Sequence, residues 1–150
     1  MSLSTILAGM KTINAAITGV VASYDITDVP ASLKTGNLPA ALVLPSPTEL
    51  SILPLIASRR TTKHQIVLRI YVEPIAQGTP AQNLTAVEPF IERVADRYSQ
   101  AVAIDSLAGV QKHDLLGYRI GVLPDFAGVD YIGIEFPMMV QEIRSVTTDG

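Results

Sequence analysis

Apolar residues near the N-terminus recur at helical spacing. Ile6, Met10, Ile13, Ile17 and Val20 follow intervals of four, three, four and three, which traces one face of an amphipathic helix. Leu7 and Val21 widen that face, and Ser4 fits its N-cap. The spacing predicts a helix over 4–22, weakened at its end by Gly19 and the β-branched pair Val20–Val21. Asp25, Asp28 and Pro30 then mark a turn, and 24–39 reads as irregular.

The period then changes. Ala40–Leu44 is a short apolar run closed by Pro45 and Pro47, which reads as a buried strand. Residues 45–62 read as a long loop with a helical turn near Glu49–Ile56. From 62 to 73 the alternation is strict: Ile66, Leu68, Ile70 and Val72 face one way, and Gln65, Val67, Arg69, Tyr71 and Glu73 the other. The second face is mixed rather than polar, so Val67 and Tyr71 are candidates for packing against another subunit.

A second helix is predicted over 83–100, with Leu84, Val87, Ile91, Val94 and Tyr98 on one face. Its start has two solutions. Thr85 and Glu88 form a capping box, or the helix begins at Glu88 with Pro89 in its first turn. Two long strands follow at 114–123 and 130–144, joined by the turn formers of Pro124–Gly128. Pro137 lies inside the second of them, which places that stretch at an edge or a bulge. The polar tail Ser145–Gly150 is expected to fray.

The order helix, strand, strand, helix, strand, strand predicts an α+β fold. An antiparallel sheet of about four strands would carry two main helices on one face. The expected core is Ile66, Leu68, Ile70, Ile134, Phe136 and Met138, with Ile13, Ile17, Ile91 and Val94 packed on it.

Composition sharpens this picture. A chain of 150 residues fits one domain, 1–150. Only 17% of its residues are charged, against roughly 25% in ordinary soluble domains, and the mean hydropathy is +0.34. A small domain buries only part of such apolar surface, so subunit contacts are expected. Cysteine is absent, which excludes disulfides, Cys-zinc sites and thiol catalysis. A pI near 5.2 without a long basic run argues against a dedicated nucleic-acid reader. The apolar window 38–57 carries four prolines and Glu49, which no continuous membrane helix would hold. With no recognisable targeting segment, a soluble protein made in the cytosol is expected.

Catalytic patterns are missing. No nucleophile elbow and no phosphate-binding glycine loop occurs. His64 reads as a strand-end or rim histidine. His113–Asp114 reads as part of a solvated loop, although with a partner such as Asp105 it would resemble a metal-binding pair. Glu135 and Glu142 are seven residues apart on one strand and so on opposite faces, which argues against paired-carboxylate chemistry. Glu88, Glu92 and Asp96, flanked by Arg93 and Arg97, read as a solvated helix face or one that meets a neighbouring subunit. Catalytic, cofactor and metal residues are therefore all expected to be none. Arg59, Arg60 and Lys63 are the densest charge and fall where the long loop joins the first long strand. They read either as a solubilising edge or as an electrostatic contact to an acidic partner surface or to passing DNA. With Val67, Arg69 and Tyr71 they form the candidate partner interface.

The layout as a whole resembles the tail terminator, or tail completion, proteins of long-tailed bacteriophages. The resemblance rests on the N-terminal amphipathic helix, LPAALVLP at 38–45, HQIVLRIYVEP at 64–74, the helix at 83–100 and YIGIEFPMMVQE at 131–142. It implies an antiparallel sheet flanked by helices and a homohexameric ring on the head-proximal end of the tail tube. Such a ring would end tube polymerisation, touch the tube protein and the head–tail connector, and let DNA pass its lumen without specific binding. The implied location is the virion. A head–tail stopper or connector of the neck is the alternative within the same assembly, and a small ligand-binding or enzymatic α+β domain is the alternative outside it.

Overall fold

The computed structural model describes residues 3–46, 51–52, 59–74, 80–99 and 110–145. Its framework is a mixed, mostly antiparallel β-sheet with helices packed on one face, an α+β fold as expected. The elements run α1 (Leu3–Ala15), β1 (Ala22–Asp25), β2 (Ala40–Pro45), β3 (Ser51–Ile52), β4 (Arg59–Pro74), α2 (Pro80–Val87), α3 (Pro89–Ser99), β5 (Val110–Leu115), β6 (Arg119–Pro124) and β7 (Asp130–Ser145).

The long strands β4 and β7 pair antiparallel from Arg59 opposite Ser145 to Pro74 opposite Tyr131. Their alternation explains this. Ile66, Leu68 and Ile70 lie opposite Met138, Phe136 and Ile134, so both apolar sets fall on the same side of the sheet. β2 adds to the outer edge of β4 and β1 runs parallel to β2. Beyond β7, β5 and β6 occupy successive stretches of its free edge.

The sheet is wider than the expected four strands. The reading of 114–123 as one strand is corrected to two, with the chain leaving the sheet between Leu115 and Arg119. Pro137 sits opposite that break. Leu116 N donates to Pro137 O at 2.9 Å, and in a strand the N and O of one residue point to the same side. The proline nitrogen therefore faces the gap, where the ladder on this side of β7 is interrupted and Leu116 is exposed to solvent. β1 starts at Ala22, in the end of the expected helix, and runs into the stretch expected to be irregular at Tyr24 and Asp25; β4 begins at Arg59, so the 45–62 loop is shorter than read. Ser51–Ile52 is strand rather than helical turn and pairs with Lys63 and Thr62; the rest of Glu49–Ile56 is outside the described residues, as are Asp105 and the tail beyond Ser145.

The helix expected over 4–22 ends at Ala15. The chain then tightens, with Ile17 N bonded to Asn14 O and Val20 N to Ile17 O. It turns at Gly19, whose φ of 91° suits glycine. Ile17 is still buried. Two arginines of α3 cap this end: Arg97 Nε donates to Ile13 O at 3.1 Å and Arg93 to Thr18 O at 3.4 Å. Cations there add a donor to carbonyls at the end of the helix, Ile13 O accepting from Ala16 N as well, and complement the helix dipole.

The second helix is broken at Glu88, with Pro89 opening α3. Of the two starts, the proline solution describes α3, because Pro89 needs no donor there. The break changes the buried face. Val87, Phe90, Val94 and Tyr98 are buried, Ile91 is half-buried, and Leu84 is exposed.

The helix-side core joins Ile6, Met10, Ile13 and Ile17 to Ile66, Leu68, Ile70, Ile134, Phe136 and Met138, closed by Phe90, Val94 and Tyr98. All six expected sheet residues are buried. Phe136 is 1% exposed, so Phe136→Ala should lower unfolding stability by about 3–5 kcal/mol. Chemical denaturation measures this, and a loss below about 0.5 kcal/mol would place Phe136 outside the core.

Candidate interaction surface

Among the described residues, no helix covers the opposite face of the sheet. At one end it is closed by a small second core of Leu33, Leu42, Tyr71, Leu123 and Tyr131. The Tyr71 and Tyr131 rings meet edge to face with centroids 5.6 Å apart. Gly133 permits this close packing: a Cβ there would lie 2.3 Å from Ile70 O and 2.7 Å from Leu123 Cδ1.

Asp125 anchors the turn beside this core. Its carboxylate accepts from the backbone N–H groups of Ala127, Val129 and Leu33 and lies 3.1 Å from the Tyr131 hydroxyl. Burial pushes this carboxyl up, but the hydrogen bonds outweigh it and hold it below its ordinary value.

Beyond Tyr71 the described residues leave the open face uncovered. It forms a concavity of about 340 Å³ lined by Leu44, Pro45, Val67, Tyr118 and Pro137, with Ser46, Arg69, Arg119 and Glu135 supplying the polar groups. Register builds this cluster. Arg69 of β4 and Arg119 of β6 both lie opposite Glu135 of β7. Arg69 Nε is 3.0 Å from Glu135 Oε2, and Arg119 binds the other carboxylate oxygen. Arg69 also reaches the Tyr71 hydroxyl at 3.4 Å, which donates to Pro124 O at 3.2 Å. Two guanidiniums and one carboxylate leave the groove with an excess positive charge. The Arg119 side chain is 77% exposed, so that charge is presented to solvent.

The six candidate interface residues separate. Val67 and Arg69 meet in the groove. Lys63 is half-buried four residues away on β4, opposite Gln141 and Ser51, roughly 13 Å from Val67 at the rise of a strand. Arg59 and Arg60 belong by backbone to β4, opposite Ser145 and Arg144, rather than to an exposed loop. Tyr71 is 1% exposed. Its expected role against another subunit is corrected, because its own chain already covers it in the second core.

The histidine readings also change. His64 is buried, not at a rim, because β4 starts five residues before it. Its Nε2 lies 3.3 Å from Glu142 Oε1. His113 is on strand β5 rather than a solvated loop, with Nε2 3.0 Å from Tyr98 O. Glu135 and Glu142 do lie on opposite faces, one with the arginines and one with His64. Among the described residues no group of three or more His, Asp or Glu gathers as a metal site. No described helix is long and apolar enough to cross a membrane.

Sequence reasoning missed Arg119, Glu135, Tyr118 and Pro137 as groove residues. The signal was an acid and two bases on alternating strands, which becomes a cluster only once the register is known.

Burial raises the Glu135 carboxyl, but hydrogen bonds and charge from Arg119 and Arg69 outweigh it and hold it below its ordinary value of 4.5. A depressed folded pKa gives stability that is fully present above the unfolded value and is lost as pH falls through the folded one. Glu135→Gln should therefore cost about 1–2 kcal/mol at pH 7, given the exposure of Arg119. That difference should shrink as pH falls below about 4.5. Denaturant titrations of both proteins across pH 2–7 check it, the range following from ordinary carboxyl titration; a difference independent of pH would refute it.

Comparison with known protein families finds no family model that matches this chain, and comparison with curated proteins finds no match either.

Proposed function

We propose that the protein is a structural subunit of a long-tailed phage particle, forming a ring that ends the tail tube and offers the head-joining surface. The observation that carries this reading is the half of the sheet that the described residues leave uncovered. Helices bury one face, while the other presents an apolar groove with a charged, exposed rim. A sheet face of this kind is expected to meet a partner. Tyr118 of the groove lining and Leu116, which bonds to Pro137 O, are each more than half exposed and enlarge the apolar surface there. The resemblance to tail terminators in the LPAALVLP, HQIVLRIYVEP and YIGIEFPMMVQE segments supplies the kind of assembly.

On this reading the chain is not an enzyme and works by contact alone. Its partners are copies of itself in a hexamer, the tail tube protein and the head–tail connector, and DNA passes through the lumen unread. Closed cyclic symmetry would bury the groove in every copy without an open filament.

Imaging particles made without the protein tests this. Overlong tails are expected, because tube growth would lack its stop. Unjoined heads beside tails of normal length would assign the protein to the neck as a stopper instead. A single copy per particle, or particles unchanged by the deletion, would refute the ring.

A further inference from the structure

We infer that the groove on the open sheet face of one copy receives the outward face of α3 of the next copy. The contact is head-to-tail between opposite sides of the molecule. It rests on the ring reading and specifies which surfaces meet.

Charge complementarity selects this occupant. The groove combines Arg69, Arg119 and Glu135 and keeps an uncompensated cation at its exposed side. The other side of the molecule carries the opposite sign. Glu88, Glu92 and Asp96 recur every four residues and are all exposed, so they form one row on the outer surface of the helix layer. They make no ion pair among the described residues. The nearby arginines do not neutralise them, since Arg93 and Arg97 are turned inward onto the carbonyl end of α1.

Apolar groups accompany the charges on both sides. Pro89 and Ile91 line a shallow depression with Glu88 and Glu92, and Leu84 is 48% exposed near it. The groove offers Val67, Tyr118, Leu44 and Pro137. An apolar centre with charges at its rim is the usual composition of a protein contact.

Topology makes the contact heterologous. The helices cover one sheet face and the groove opens on the other, so each copy offers one surface of each kind. Such contacts generate a ring when the rotation between copies closes.

The test reverses charges singly and together, with association read by analytical ultracentrifugation and folding checked by circular dichroism. Arg119→Glu should weaken association at least about tenfold at low salt, with the loss shrinking as salt screens it. Glu92→Arg should do the same; it lies on the outer helix surface, so it reads the contact without disturbing the Glu135 cluster. The double variant Arg119→Glu/Glu92→Arg should recover association to within about threefold of the original, because the pair is restored with its signs exchanged. The two single variants, mixed in equal amounts, should co-assemble although neither assembles alone. Unchanged association in both single variants, with the natural chain still oligomeric, would overturn this contact and leave the ring reading standing. Weakening without rescue in the double variant and the mixture would also overturn it, since the helix face would not be the occupant. A natural chain that stays monomeric both in solution and in assembled particles would overturn the contact and the ring together.

Discussion

The pairing of β4 with β7 is the constraint on which the rest of the molecule depends. These two strands run together for nearly their whole length, and every other strand attaches directly or through β2 to one of them. Their separation in sequence makes closing this pair costly in chain entropy. What offsets that cost is burial: the helix-facing residues of both strands are among the least exposed in the chain. A slip of one residue would move this set to the open face and the Arg69–Glu135 pair into the core, so the register is defined from both sides.

The two faces of the sheet consequently have different tasks. The helix side holds a continuous core of Ile, Leu, Met, Val and Phe, with Tyr98 hydrogen-bonded to the buried Asn14 side chain. Burial pushes the Tyr98 hydroxyl up in pKa, and it acts as a neutral donor that ties α3 to α1. The open side is divided. Tyr71, Tyr131 and Asp125 make one end self-sufficient, whereas the groove around Val67 and Arg69 is left uncovered by the described residues. That difference within a single face marks the surface that the proposed ring would use.

The arginines illustrate how position decides the use of one chemistry. Arg93 and Arg97 close a helix end, Arg69 balances a nearly buried carboxylate, and Arg119 pairs with the same carboxylate from solvent. Of these four the last is the one most open to a group arriving from solvent, and salt limits its reach to about a Debye length.

Local periodicity by itself determined the fold class, the core-facing residues of β4 and β7 and the helical face of α1, because alternation and 3.6-residue spacing are local properties of the chain. It also placed Val67 and Arg69 on the second sheet face and Glu135 opposite in facing to Glu142. The turn at Pro124–Gly128 made the β6–β7 hairpin legible, but tertiary structure alone decided the other strand neighbours. β1 is too short and too polar for its pattern to stand out, and the split into β5 and β6 depends on what β7 offers across the gap at Pro137. The fate of Tyr71 depended on Tyr131 and Leu123, the burial of His64 on the early start of β4, and the groove on Arg119 meeting Glu135. Each of these is a contact between segments distant in sequence. A single chain records the residue types for such contacts, but their pairing is fixed only when burial of the shared core selects one register.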